Sequence, residues 1–363
     1  MPTDFDTLTF LKRAIKIGAS DIHLKVDEHP TIRKDGKIIK IDLPKLTDAD
    51  MDTICSTLVP KEIKTKANSV FDLDFAFEIK NLSRFRINLS RQLGKTGVVI
   101  RAIPYEIKTP DELNLPEIVN SFTKLNTGII FVTGATGCGK TTTLASIIEH
   151  INQNYQKHII TIEDPIEFIF TGKKSIITQR QIEIDTPSTA DGIKYALRQD
   201  PDVILIGEIR DRETMSNALK AAETGHLVFA TLHTNDAIQT ITRVINLYEP
   251  NDREFIRTQI AETLRGTIAQ KLVLTKDGTR HPACEVLIAT PTIKDFIIKD
   301  KLEEIYELVK KGSFDGMETM NMSLFNLLQT EIITEEEALN NSNNKIELQQ
   351  MLKGIYHGTE RYE

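Results

Sequence analysis

An α/β protein preceded by a smaller α+β region is the fold that the sequence predicts, and three observations predict it. The segment GATGCGKT (residues 134–141) stands between a short β-branched run, TGIIFVT (127–133), and a stretch with Leu144, Ile147, Ile148 and Ile151 at helical spacing. Beyond residue 117, apolar strand-like runs alternate with helical ones, the pattern of a mostly parallel sheet. The first 103 residues instead hold short runs that alternate apolar and polar positions, as half-buried antiparallel strands do.

In the leading region the strand-like runs are 22–26, 31–33, 36–41, 71–79, 84–90 and 98–102. RFRINLS (84–90) is the clearest: Phe85, Ile87 and Leu89 point one way, Arg84, Arg86 and Asn88 the other. LTDADMDTICSTLV (46–59) reads as a helix capped by Thr47 or Asp48. Residues 1–103 are thus an α+β domain. Pro104, Pro110 and Pro116 predict an extended linker over 104–116. The second domain, 117–363, places strands at 128–133, 158–162, 203–206 and 227–232; from about residue 291 it becomes helical and amphipathic and ends in a polar tail.

Two domains also suit a chain of 363 residues, too long for one typical core. With 40% hydrophobic and 27% charged residues the composition is globular. No apolar run approaches the roughly eighteen residues that span a bilayer, and MPTDFDTLTF lacks a secretory signal's basic-then-apolar pattern. Cys55, Cys138 and Cys284 form no C-x-x-C pair, which points to reduced thiols in the cytoplasm and removes a four-cysteine zinc site. A net charge of −7 and a pI near 5.7 disfavour a broad phosphate-binding surface. Without tryptophan or a basic-aromatic tract, nucleic acid is not an expected partner.

GATGCGKT fits G-x-x-x-x-G-K-[ST], the phosphate loop of nucleotide-binding proteins. Gly134 and Gly139 permit turns that a Cβ would block. Ala135, Thr136, Gly137, Cys138 and Thr142 complete a cradle of backbone N–H groups with them. Lys140 brings a point charge to the β/γ-phosphates and Thr141 a hydroxyl to Mg²⁺. Cys138 beside those amides is either a thiol with a lowered pKa or simply a small residue filling its place.

DVILIGE (202–208) is an apolar strand ending in Glu208, an acid placed to hold Mg²⁺, directly or through water. Asp202 lies at the strand's other end. HIITIEDP (158–165) stops at Glu163, a candidate to orient or deprotonate the attacking water, while Asp164 is suited to fixing the turn. GHLVFATLHTN (225–235) carries His226 and His233. Seven residues apart, they project from opposite faces of a regular strand, which argues against a shared zinc; near phosphate, either histidine can sense its charge. The plain alternatives are a solvated acidic turn, a capping acid and packed structural imidazoles.

Taken together these segments resemble the type II/IV secretion ATPase superfamily and, within it, the PilT-like type IV pilus retraction ATPases, over nearly the whole chain. GASDIHL (18–24) is similar to the N-terminal signature and SRFRINL to the arginine-bearing strand. GATGCGKT, TIEDPIEF, LRQDPDVILIGEIRD and TGHLVFATLHTN resemble the Walker A, Asp box, Walker B and His box, in the family's order. The resemblance implies a PAS-like N-terminal domain, a RecA-like ATPase domain and a homo-hexameric ring that hydrolyses ATP with Mg²⁺. It implies arginines completing the site, with Arg84, Arg86, Arg101, Arg198 and Arg243 as candidates. It further implies an inner-membrane platform protein as partner, possible cooperation with a second retraction ATPase, and a place in the cytoplasm at the pilus base. This chain carries neither the extra N-terminal domain nor the tetracysteine zinc motif of extension and secretion ATPases, which points to retraction. TIKDFIIK (292–299) departs from the PilT-like AIRNLIRE at Thr292, Lys294 and Asp295, so an accessory, PilU-like motor is the alternative. A DNA translocase and a nucleotide-gated scaffold are further rivals.

Overall fold

The computed structural model describes residues 5–34, 36–63, 71–80, 82–103, 106–312 and 315–354, which form two compact units. Residues up to Ile107 together with Pro165–Ile169 make the first, and the remainder the second. Pro104 of the expected linker and the polar tail after Gly354 lie outside the described residues.

The first unit holds a six-stranded antiparallel sheet in the order β3-β2-β1-β6-β5-β4. Its strands are β1 (Asp21–Lys25), β2 (Thr31–Lys34), β3 (Lys37–Lys40), β4 (Asp72–Ile79), β5 (Ser83–Gln92) and β6 (Lys95–Ile103). Along β5 the expected alternation holds: Phe85, Ile87 and Leu89 are buried among Leu11, Ile54, Phe75 and Ile100. The helix Asp48–Leu58 starts at Thr47, whose hydroxyl and Asp50 form a reciprocal capping box. A second helix, Thr7–Lys16, capped by Asp6, has no counterpart in the sequence reading. It buries Phe10, Leu11 and Ala14 on one face, an i, i+1, i+4 stripe short enough to go unnoticed among polar neighbours.

In the second unit seven strands take the order β13-β12-β7-β11-β10-β8-β9. They are β7 (Gly128–Thr133), β8 (His158–Glu163), β9 (Ile176–Gln181), β10 (Val203–Ile206), β11 (Leu227–Leu232), β12 (Leu264–Leu274) and β13 (Arg280–Ile288). All pair in parallel except the edge strand β13, which is antiparallel to β12. β7, β10 and β11 are buried along their whole length, so they read as continuous apolar runs. Helices cover both faces, and a core lies on each. β9, β12 and β13 escape the sequence reading because polar residues interrupt them, as in IITQRQ and LRGTIAQKLVL.

The expected extended linker is instead partly wound. Thr109 and Glu112 form a reciprocal capping pair, Leu113 N–H bonds back to the Thr109 carbonyl, and Leu115 is buried. Proline at 110 is compatible because the first turn of a helix needs no N–H there.

Beyond residue 290 the chain is helical: Pro291–Ile298, Leu302–Lys311, Met320–Gln329, Glu335–Asn341 and Lys345–Leu352. The last three close a small core with Val273 and Ala283 of β12 and β13. Glu285, buried on β13, accepts the N–H of Ala237 at 2.8 Å and of Met320 at 3.3 Å, the first residues of two helices. Burial pushes its carboxyl up to about 7, with the Ala237 bond opposing and Asp236 assisting. A raised folded-state pKa means that the folded protein holds the proton more tightly. The associated stability is therefore present below about pH 4.5 and lost as pH rises through 7. Glu285→Gln should remove a pH-dependent stability term on the order of 3 kcal/mol across that window, seen as a shallower change of unfolding midpoint between about pH 4.5 and 7.

Candidate functional site

The site begins where β7 ends. Thr133 is followed by the glycine loop, and the helix Lys140–Asn154 starts without any side-chain cap, its N-cap being Gly139. Its first N–H groups are therefore left for an outside acceptor, at the positive end of the helix dipole. Gly134 has φ 141°, and a Cβ there would lie 2.5 Å from both Cys138 Sγ and the Gln270 carbonyl oxygen. No other residue type fits. Ala135, Thr136 and Gly137 are exposed at the tip; Thr141 and Thr142 are exposed on the first turn.

Lys140 is only 9% exposed. Its Nζ donates to the carbonyls of Gly134 at 2.8 Å and Ala135 at 3.1 Å, so the ammonium closes the loop on itself. Burial pulls its pKa down, opposed by Cys138 and Glu208, which places the Glu208 charge within its field.

Glu208 sits in the turn after β10. Gly207 N–H bonds to the Ile162 carbonyl of β8 at 2.8 Å, and Thr231 Oγ1 of β11 donates to the Gly207 carbonyl at 2.5 Å. The acid is thus fixed from both neighbouring strands. One carboxylate oxygen accepts from Arg210 Nη2 at 2.7 Å; the other lies 3.1 Å from His233 Nε2. Burial alone would raise its pKa, but Arg210, then His233 and Lys140, hold it below the usual carboxylate range. Glu208 is an anion at neutral pH.

Glu163, the buried last residue of β8, accepts from Thr161 Oγ1 at 2.6 Å and Gln179 Nε2 at 3.4 Å. The structure therefore brings Glu208, His233 and the field of Lys140 together, with Glu163 ending the adjacent strand. His226 is elsewhere: it precedes β11, at the end away from the loop, where Nδ1 meets the Ala221 carbonyl at 3.0 Å. The expectation that it senses phosphate charge gives way to a helix-end role, because the length of β11 separates it from the loop.

Of the five candidate arginines, three belong to the first unit. Arg84 Nε donates to the Ile166 carbonyl at 3.0 Å, Arg86 Nη1 to Glu167 at 3.3 Å, and Arg101 Nε to Asp21 at 2.9 Å. Arg198 stacks its guanidinium 5.8 Å from the Tyr195 ring, and Arg243 is exposed on the helix Ala237–Asn246. The Cys138 thiol is buried, and burial pushes its pKa up despite Lys140, so of the two readings it is the small residue filling the loop's interior that the structure supports.

Sequence reasoning misses two residues that matter. Arg210, two positions past Glu208, lies inside the strand-end segment but reads there as an ordinary turn residue. Gln270 of β12 donates from Nε2 to the Cys138 carbonyl at 2.5 Å and accepts from Thr143 Oγ1 at 2.9 Å. It lies 127 residues beyond Thr143, so no local signal announces it.

A nucleotide with Mg²⁺ fits these residues. The loop leaves no room at Gly134 for a side chain, the uncapped helix start offers amides, and Thr141 and Glu208 supply the hard oxygen donors that Mg²⁺ prefers. An α/β protein built to receive an anion at a helix start is the class that fold and site define. The chain belongs to the family described as Type II/IV secretion system protein, which matches residues 6–351.

It is 38% identical over 333 residues to the type IV pilus retraction ATPase PilT of Pseudomonas aeruginosa, covering 92% of this chain and 97% of that protein. It is 35% identical over 345 residues to the type IV pilus ATPase PilU of the same organism, covering 94% and 90%. Among solved structures, the pilus retraction motor PilT with bound ADP superposes with a TM-score of 0.90 at 42% identity, over 96% of this chain and all of that one. No helix among the described residues is long and apolar enough to cross a membrane.

Proposed function

We propose that this chain is the subunit of a homo-hexameric ATPase that powers type IV pilus retraction. The observation that carries the reading is Glu208, an anion held at the end of β10 within the field of Lys140, beside a loop whose first glycine admits no side chain. Near-full-length similarity to PilT, a retraction ATPase, supplies the cellular task.

In this reading the loop amides from Gly134 to Thr142 hold the phosphates, and Lys140 leaves its loop carbonyls to meet the β/γ-phosphates. Thr141 and, through water, Glu208 hold Mg²⁺, which when bound neutralises the charge that develops on the phosphates. Glu163 orients the attacking water, and His233 sits against Glu208 where it senses the γ-phosphate. Arginines drawn from the five candidates complete the site.

The same reading makes residues 1–103 a PAS-like domain, 104–116 the connection and 117–363 a RecA-like domain with its helical C-terminal part. Opening and closing between domains is the stroke. The ring works in the cytoplasm, on the inner face of the inner membrane, against a platform protein, without nucleic acid.

A deletion strain tests the proposal. Excess surface pili with loss of twitching is the expected phenotype. Unchanged pilus number would instead favour an accessory motor acting beside a second retraction ATPase, a reading that the similarity to PilU and the departure at Thr292, Lys294 and Asp295 support. Wild-type pili and wild-type twitching together would overturn both.

A further inference from the structure

β12 touches the phosphate-type loop with one side and the C-terminal helices with the other. Gln270 is buried between loop and helix. Its amide spans the Cys138 carbonyl and the Thr143 hydroxyl. Its backbone oxygen blocks a side chain at Gly134, and its Nε2 would lie 3.0 Å from a Cβ at Gly139. One residue thus meets the loop at its first turn, its interior and its exit into the helix.

The next residue faces the other way, as successive strand residues do. Lys271 Nζ donates to the Asn341 carbonyl at 2.6 Å and to Asn343 Oδ1 at 2.7 Å, in the turn between the helices Glu335–Asn341 and Lys345–Leu352. Two further ties lie along the strand: Val273 enters the small core with Leu324, Ile333, Ala338 and Leu348, and Leu274 N–H bonds to Glu337 Oε1 at 2.9 Å. Glu285 of the partner strand β13 adds the start of the helix Met320–Gln329.

We infer that Gln270 is a positioning residue for the phosphate loop and that Gln270 and Lys271 together couple nucleotide occupancy of the loop to the order of the C-terminal helices over residues 341–352. The inference rests on the loop's being a nucleotide site. When phosphate enters, Lys140 and the loop amides change partners; the Cys138 carbonyl and Gly134 shift with them. Gln270 has no slack in which to absorb that shift, because it is bonded at both ends of its amide. β12 must move or strain, and Lys271 carries the change to the turn at 341–343. By linkage, disturbing that turn alters nucleotide affinity by the same factor.

The test uses the full chain and ADP with Mg²⁺ as probe. Amide hydrogen exchange is measured with and without ADP, and ADP affinity is determined in parallel. In the wild type, ADP is expected to change exchange over 341–352 by about threefold or more. Gln270→Met keeps the volume but neither hydrogen bond; ADP affinity should fall about tenfold and the exchange response at 341–352 should vanish.

Lys271→Met, at a half-buried position outside the nucleotide contacts, should lose the same response while its ADP affinity changes by no more than the roughly threefold that linkage implies, well short of the loss in Gln270→Met. This second variant keeps the test decisive if Gln270→Met folds poorly, since a purely structural role for Lys271 would lower stability without erasing a ligand-dependent difference. ADP binding by Gln270→Met within about twofold of wild type, or a full exchange response in Lys271→Met, overturns the coupling. A wild type that binds ADP without any response at 341–352 overturns the coupling alone; one that binds no ADP overturns the nucleotide reading and the coupling with it.

Discussion

Lys140→Ala lowers ATP turnover by about 100-fold or more and weakens nucleotide binding with it. The ammonium is the positive charge inside the loop, and it now rests on the carbonyls of Gly134 and Ala135. Those contacts hold the side chain curled within the loop, ready to exchange two neutral acceptors for phosphate oxygens. Alanine takes the ammonium from both carbonyls, leaving that of Ala135 with the Cys138 N–H at 3.3 Å, and leaves nothing to meet the phosphate charge. Lys140→Arg should not rescue, because a planar fork cannot fill the place of a compact ammonium. Steady-state turnover and ADP affinity, measured together, check this; full turnover in Lys140→Ala would end the account.

A different split is expected for Glu208→Gln: turnover falls about 100-fold while ADP affinity stays within about threefold. The substitution keeps volume and removes the charge. Arg210 and His233 both lose an anionic partner, yet neither loop nor helix start is touched. The turn itself should persist, since its backbone is fixed by Ile162 and Thr231 rather than by the carboxylate. Comparing the two variants separates phosphate binding from hydrolysis. Turnover in Glu208→Gln within about threefold of wild type would remove Glu208 from the chemistry.

How much of the fold and the site is legible in the sequence depends on whether the signal is local. The loop can be read because a buried β-branched strand, glycines and a helix start are adjacent in the chain. The β5 alternation and the Thr47 cap are legible for the same reason. Gln270 is not, since its role arises only once β12 lies beside β7. Arg210 is visible but mute, because a charged turn residue ordinarily faces water. For Cys138 the sign is reversed: the positive field that the sequence suggests is present in Lys140, but burial outweighs it. His226 reads from sequence as a phosphate sensor beside His233, but parallel strands present their C-terminal ends to ligands and this residue stands before its strand. At 109–115, prolines suggest extension, but a Thr–Glu pair three residues apart winds the chain instead.

The contact between Gly134 and the backbone of β12 also bears on portability. A loop and helix cut out as a cassette and grafted onto another parallel sheet would arrive without the wall that shapes the first turn. The Cys138 carbonyl would lose its donor and Thr143 its acceptor. The transferable module is therefore discontinuous, residues 128–154 together with 264–274, and chimeras between relatives should keep their function only when both pieces come from the same parent.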